Sequence, residues 1–144
     1  FLSNALRLPW VKTEEEGLAD ASWELIDYLD LMDVAYTPVA DLPFGTQKRV
    51  ELARALASKP KLLLLDEPAG GLNHDEVEDL GSLIKQIRDD RGITVLLVEH
   101  HMSLVMAVSD HVVAIDFGRK IGEGTPSEVQ QNPEVIRAYL GTSD

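Results

Sequence analysis

The sequence of 144 residues contains no cysteine, which excludes disulfide bonds and cysteine-ligated metal sites. Basic residues are few: 13 Lys and Arg stand against 25 Asp and Glu, for a formal net charge of −12. Such an acidic chain is a poor counterion-releasing partner for nucleic acid or an anionic lipid surface. No apolar run is long enough to span a bilayer, and the first residues lack a signal-peptide pattern. We therefore expect no nucleic-acid partner and no direct membrane insertion.

The stretch from Asp41 to Asn73, DLPFGTQKRVELARALASKPKLLLLDEPAGGLN, predicts a helix followed by a strand. Because Pro43 cannot lie inside a helix, we expect the helix to open at Gly45-Thr46 and to run to about Ser58. Its expected apolar stripe is Val50, Ala53, Leu56 and Ala57. Four consecutive leucines, 62–65, then predict a short strand that is covered on both faces.

Two carboxylates, Asp66 and Glu67, follow this strand directly, where open α/β sheets bind ligands. An Asp at such a position can hold Mg²⁺ through its oxygens, and an adjacent Glu can orient an attacking water. The helix opening at Gly45-Thr46 offers unpaired N–H groups to an anion. Taken singly, these features are more simply an acidic turn and a helix entry. Their order and spacing together favour phosphoryl-transfer chemistry.

A second apolar strand, Ile93 to Val98, is predicted after an amphipathic helix that starts with a capping box at Asn73 and Glu76. The buried stripe of that helix is expected to be Val77, Leu80, Leu83, Ile84 and Ile87, with the helix ending near Arg91-Gly92. Parallel strands joined by a helix place both strand tips at one sheet edge. His100, which follows the second strand, is therefore expected near Asp66 and Glu67.

The rest of the chain is predicted to be mostly helical at both ends. The N-terminal helix is expected from about Glu14 to Asp33, behind a capping box at Thr13, with one apolar face made of Leu18, Ala21, Leu25, Leu29 and Met32. A third strand at 111–116 turns at Phe117-Gly118 into an antiparallel edge strand, 119–123. Two C-terminal helices are expected after a cap at Thr125, with a break at Asn132-Pro133.

Several of these segments resemble the ATP-binding subunits of ABC transporters. LPFGTQKRVELARAL is similar to the signature LSGGQ-x-x-R-x-x-x-A-R-A-L, LLLLDEP to the Walker B strand with its catalytic glutamate, AGGLN to the D-loop, and ITVLLVEHHM to the switch-histidine strand. GEGTPSEVQQNPEVIRAYLG is similar to the end of the branched-chain amino-acid importer ATPases. The resemblance extends over most of residues 41–124 and into the C-terminal stretch.

The resemblance implies roles for individual residues. Asp66 would serve Mg²⁺, Glu67 would polarise the hydrolytic water, and His100 would contact the γ-phosphate of ATP. The signature turn would clasp a nucleotide held by the opposite subunit; its residues here are Phe44, Gly45 and Thr46, together with Asn73 of the D-loop. The sequence departs from the family pattern at Pro43, Phe44, Thr46, Asn73 and His101. These departures leave Gly45 as the expected main-chain phosphate contact.

The fold class that the resemblance implies is α/β: a partial P-loop NTPase fold with a mostly parallel sheet flanked by helices and a helical subdomain. No Gly-x-x-x-x-Gly-Lys-Ser/Thr segment occurs, so the N-terminal P-loop part is absent from the sequence. Residues 1–40 are expected to belong to the helical subdomain, 41–124 to the signature, Walker B and switch-histidine core, and 125–144 to the C-terminal helices. The chain is thus expected to be a C-terminal fragment that binds ATP and Mg²⁺ weakly and is inactive alone.

The parent protein is expected to couple ATP hydrolysis to the import of branched-chain amino acids. Its expected partners are a second ATPase subunit and membrane permease subunits, which would hold it on the cytoplasmic face of the membrane. Two alternatives remain: a non-catalytic module that docks a permease or partner subunit, and a soluble ABC-type ATPase of DNA repair or translation. Acidic charge and the absence of coiled-coil arms argue against the second alternative.

In the family, the strand that feeds the P-loop lies between two strands that correspond to 93–98 and 111–116 here. Without it, unpaired main-chain groups would face a gap. The gap could be filled by direct closure of the two strands, by strand exchange into an oligomer, or by a further N-terminal piece. We expect strand exchange, because direct closure would also require the flanking helices to repack.

Overall fold

The structure is a computed structural model that describes residues 9–140, with side chains described at 15 and 17–139. The chain divides into two units, one up to Leu63 and one from Leu64 onward. Each unit is described by itself.

The first unit is helical. It contains α1 (Pro9–Tyr28), two short 3-10 helices (Met32–Val34 and Val39–Asp41) and α2 (Phe44–Leu56). The predicted start of the first helix at a Thr13 cap is wrong, since the backbone is already helical at Pro9. The predicted end at Asp33 is also wrong: the helix stops at Tyr28, and Asp30 adopts a left-handed φ of 54°.

The core of the first unit is made of leucines: Leu25, Leu29, Leu31, Leu42, Leu52 and Leu56. The predicted α1 stripe holds only at Leu25 and Leu29, because Leu18 is 65% exposed and Met32 is 51% exposed. In α2 the buried stripe includes Leu52 instead of Ala57. An apolar groove of about 270 Å³ between α1 and α2 leaves Val50 and Ala53 only half-buried.

The second unit alternates strands and helices. β1 (Leu62–Asp66) crosses the boundary between the units, and α3 (His74–Arg91), β2 (Thr94–Val98), α4 (Met102–Val108) and β3 (Val112–Asp116) follow. The chain ends with β4 (Arg119–Gly124), α5 (Pro126–Gln130) and α6 (Pro133–Leu140). The strands form two separate pairs, β1–β2 and β3–β4.

The helix α3 forms as the sequence predicted. The Asn73 side chain accepts from the Glu76 N–H and the Glu76 side chain accepts from the Asn73 N–H, which confirms the capping box. The whole predicted stripe of α3 is buried, and Gly92 ends the helix with a left-handed φ of 60°. Gly81 lets α4 approach closely, because a β-carbon there would lie 2.9 Å from Leu104 Cδ1.

The prediction that the first strand is covered on both faces is wrong. Burial alternates along the strands: Leu63 is buried, while Leu64 is 64% exposed and Leu96 on β2 is 56% exposed. On β3, Val112 and Ala114 are buried, whereas Val113 and Ile115 are exposed. Within residues 9–140, nothing covers the second face of these strands. Direct closure of β2 onto β3 is also wrong, since the two strands belong to different sheets.

The C-terminal segment packs on the β3–β4 hairpin. The hairpin is antiparallel and turns at Phe117-Gly118, as predicted, and it pairs Val112 with Gly124. Its buried side packs against Val129 of α5 and Val135 of α6. The capping box at Thr125 and the break before Pro133 are confirmed as well.

Candidate functional site

The backbone turns sharply at Glu67, directly after β1. Glu67 has a left-handed φ of 45°, its N–H donates to the Val98 carbonyl at 2.8 Å, and its carbonyl accepts from the Gly70 N–H at 3.1 Å. This conformation costs a non-glycine residue on the order of 1–2 kcal/mol. The hydrogen bond to Val98 ties the turn to the end of β2, so the ends of the two strands meet at this point.

The turn brings Glu67 and His100 together. Glu67 Oε1 lies 3.6 Å from His100 Nδ1, within the range of an ion pair but beyond that of a direct hydrogen bond. Both side chains are more than half exposed. The expectation that His100 lies beside the residues at the tip of β1 is therefore confirmed for Glu67, and both side chains are open to a ligand that arrives from solvent.

Glu99 is a residue that sequence reasoning missed. Its Oε1 accepts from the Ala69 N–H at 2.8 Å, and its Oε2 accepts from the N–H groups of His100 and His101 at 3.1 and 3.2 Å. In the sequence, Glu99 is only a polar residue at the end of the second predicted strand, and no role is assigned to it. The signal that could have identified it is an acid between an apolar strand and a candidate catalytic histidine, a place where main-chain N–H groups need acceptors.

Asp66, the predicted Mg²⁺ ligand, has an exposed side chain at the last position of β1. Its carboxylate is a ligand type that Mg²⁺ prefers. In the part of the chain that the structure describes, no group of three or more His, Asp or Glu residues could hold a metal ion. The role of Asp66 as a Mg²⁺ ligand therefore stays a prediction, in which water or nucleotide phosphate would supply the other ligands.

Asn73 is already engaged as the N-cap of α3. Its Oδ1 accepts from the Glu76 N–H at 3.0 Å, and its own N–H donates to Glu76 Oε2 at 2.9 Å. The preceding loop is shaped by Gly71, which has a φ of 81°. The local role of Asn73 is thus to start the helix, and its predicted contact with nucleotide stays a prediction.

The remaining predicted binding residues, Phe44, Gly45 and Thr46, form the first turn of α2 in the first unit. The helix begins one residue earlier than predicted, with Pro43 as its N-cap and no side-chain cap. Phe44 is about half exposed, and the Lys48 ammonium lies 5.2 Å from the centre of its ring. The first N–H groups of α2 thus have no side-chain acceptor at the N-cap, and the predicted contact of this turn with nucleotide stays a prediction.

Two family models match the sequence. The model described as ABC transporter matches residues 4–70, and the model described as branched-chain amino acid ATP-binding cassette transporter matches residues 119–144. The structure describes no helix among residues 9–140 that is long and apolar enough to cross a bilayer.

Curated relatives match nearly the whole chain. The high-affinity branched-chain amino acid transport ATP-binding protein BraF of Pseudomonas aeruginosa is 40% identical over 98% of this chain and 55% of its own length. LivG of Escherichia coli (strain K12), which has the same descriptive name, is 37% identical over the same shares. The chain thus spans about half the length of the curated relatives it matches.

Solved structures give the same result for the fold. The ADP conformation of MJ1267, an ATP-binding cassette of an ABC transporter, superposes with a TM-score of 0.79 at 27% identity, over 88% of this chain and 51% of that one. A nucleotide-free ATP-binding cassette from an ABC transporter also gives 0.79, over 98% and 56%. These matches confirm the predicted partial P-loop NTPase fold, and with the sequence relatives they establish that the chain belongs to the family of ABC transporter ATP-binding proteins.

Proposed function

We propose that this chain is the C-terminal part of an ATPase subunit whose parent couples ATP hydrolysis to the import of branched-chain amino acids. The observation that carries the proposal is the approach of Glu67 Oε1 to His100 Nδ1, 3.6 Å apart at the ends of two adjacent strands. The descriptive names of BraF and LivG support the substrate class.

Each site residue has a role in the proposal. Glu67 accepts a proton from the attacking water and orients it, and His100 donates to the γ-phosphate. Asp66 supplies one ligand for Mg²⁺, which would neutralise phosphate charge when bound. Phe44, Gly45 and Thr46, with Asn73, would contact nucleotide held by a second ATPase subunit.

The proposal also assigns the parts of the chain. Residues 1–40 belong to the helical subdomain and face the permease, 41–124 form the catalytic core, and 125–144 form the C-terminal helices. Exposed apolar side chains in the first unit, among them Trp23, Tyr36 and Val39, support a docking role for that unit. The permease would hold the assembly at the cytoplasmic face of the membrane.

The test is Glu67→Gln in the full-length protein that contains this chain. The substitution keeps the shape of the side chain and removes the base, so ATP turnover should fall by about a hundredfold or more while ATP binding persists. Glu78→Gln is the matched control, because Glu78 is an exposed glutamate on α3 that pairs with His74 at the surface. Near-normal turnover of Glu67→Gln would refute the role of Glu67.

A second candidate is a non-catalytic interaction module, favoured for this chain by the lack of a P-loop sequence in its 144 residues. Neutralising the β- and γ-phosphates dominates this type of catalysis, and the lysine and N–H cradle that does so is absent from the sequence. The purified chain should therefore show no tight Mg-ATP binding by calorimetry and no hydrolysis above background. Micromolar affinity would contradict this expectation and favour the catalytic reading for the chain itself.

A further inference from the structure

The carboxylate of Glu99 joins two loops of the site. Oε1 accepts from the N–H of Ala69, in the turn that follows Glu67, and Oε2 accepts from the N–H groups of His100 and His101. The three donor–acceptor distances, 2.8, 3.1 and 3.2 Å, are ordinary hydrogen bonds. One half-buried side chain therefore spans both strand ends that carry the proposed catalytic pair.

The main chain of Glu67 is also bonded to Val98 and Gly70, but the side chains of the two catalytic candidates are held weakly. Among residues 9–140, the 3.6 Å approach of Glu67 to His100 is the only polar side-chain contact described for either residue, and it is exposed to solvent. An exposed pair of this kind holds its partners weakly. The left-handed backbone of Glu67 is also costly, so it persists only where neighbouring contacts fix it. The bonds to an ionised Glu99 are charge-assisted and correspondingly strong.

We propose that Glu99 is a positioning residue, which sets the separation of Glu67 and His100 by holding the Ala69 turn against the main chain of His100 and His101. The proposal rests on the proposed function, since positioning has meaning only if Glu67 and His100 act on a substrate. Glu99 does not contact the substrate in this scheme. Its effect should therefore fall on the rate of the chemical step, and the apparent affinity for ATP should change little.

The test compares Glu99→Gln, Glu99→Ala and the control Glu134→Gln in the full-length protein that contains this chain. Gln has the size of Glu but only one oxygen acceptor, so either Ala69 or the two histidine N–H groups lose their partner. Glu134 is an exposed glutamate in the first turn of α6, away from the three amides, so its change to Gln removes one carboxylate without altering the Glu99 hydrogen bonds. Urea denaturation of each variant establishes that it is folded.

Two readouts are measured: the kcat and KM for ATP hydrolysis, and the hydrogen exchange of the amides of residues 69, 100 and 101. In both Glu99 variants kcat should fall between about tenfold and a hundredfold, with KM changed less than about twofold. Exchange at one or more of the three amides should accelerate, and more of them in Glu99→Ala than in Glu99→Gln. Glu134→Gln should match the wild type in both readouts.

Three outcomes would overturn the inference. Unchanged amide exchange in Glu99→Ala would show that the hydrogen bonds do not protect these groups. Faster amide exchange with unchanged kcat would show that Glu99 stabilises the loops locally but does not position the catalytic pair. A rise in KM as large as the fall in kcat would assign Glu99 to nucleotide binding. A wild-type protein that does not hydrolyse ATP would instead refute the proposed function itself, so the two failures are distinguishable.

Discussion

Gly122 on β4 and Val135 on α6 meet with no space between them: a β-carbon at Gly122 would lie 2.8 Å from Val135 Cγ2. The same atom would lie 3.2 Å from Asn132 Nδ2, which donates to the Ile121 carbonyl. We therefore predict that Gly122→Ala lowers the free energy of unfolding by about 1–3 kcal/mol, because the added methyl group would push α6 away from the β3–β4 hairpin. Urea denaturation measures the change.

The control for that substitution is Gly17→Ala, the same chemical change in α1. A β-carbon at Gly17 would meet nothing within 4 Å, and alanine is the better helix former. This variant should be more stable than the wild type by about 0.5–1 kcal/mol. If Gly122→Ala stabilised the chain to the same extent, the close packing of α6 on the hairpin would be wrong.

His100→Ala in the full-length protein is predicted to lower ATP turnover by about a hundredfold, since the proposed contact with the γ-phosphate is lost. The matched control is His111→Ala. His111 Nε2 lies 3.3 Å from Glu123 Oε1 at the exposed β3–β4 hairpin, and no role in the site is assigned to it. The steady-state rate of ATP hydrolysis is measured for both variants. An equal loss of rate in the control variant would contradict a specific role for His100.

Glu128 predicts a pH dependence of stability. Hydrogen bonds from the backbone N–H and then the hydroxyl of Thr125 hold the pKa of Glu128 below its ordinary value of 4.5. On acidification the unfolded chain binds the proton first. The contribution of Glu128 is therefore fully present above pH 4.5 and is lost as the pH falls through its lower pKa in the folded state.

The measurement is the urea midpoint of the wild type and of Glu128→Gln from neutral pH to well below 4.5. The wild type should be the more stable protein at neutral pH, and the difference should shrink on acidification. Glu134→Gln controls for the removal of one negative charge from an exposed helix. A difference that stays constant with pH would show that the Thr125 hydrogen bonds do not favour the ionised carboxylate.

The purified chain is predicted to self-associate. The strand pairs β1–β2 and β3–β4 are separate, and apolar side chains such as Leu64, Leu96 and Ile115 are more than half exposed. Unpaired strand edges beside apolar surface recruit other chains. Light scattering across a concentration series should show a mass that rises with concentration, and Leu96→Gln should reduce the rise. A monomer at every concentration would contradict the prediction of strand exchange.

The sequence predicted well wherever a local rule determines the structure. Two examples are the capping boxes at Asn73 and Thr125, and a third is the buried stripe of α3. Each depends on residues within one or two helical turns, so it can be predicted without knowing which other elements pack against it. The juxtaposition of Glu67 and His100 followed from the strand–helix–strand connection, because topology alone brings the strand ends together.

Prediction failed where the outcome depends on what covers a surface. Four consecutive leucines indicate two buried faces, yet Leu64 is exposed because nothing among the described residues lies over that side of β1. The exposed Leu18 and Met32 of the N-terminal segment are similar cases. Glu99 could not be assigned, since its three hydrogen bonds join main-chain groups that are as much as 32 positions apart (101 − 69).

Under the proposed mechanism, the left-handed backbone of Glu67 places stability and activity in opposition. Glycine would relieve the strain at this position, and asparagine would tolerate it better than glutamate, but neither could serve as the proposed base. A search for heat-resistant variants that does not also select for turnover should therefore accept substitutions of Glu67 readily. Such a selection would yield a more stable protein that has lost ATP turnover.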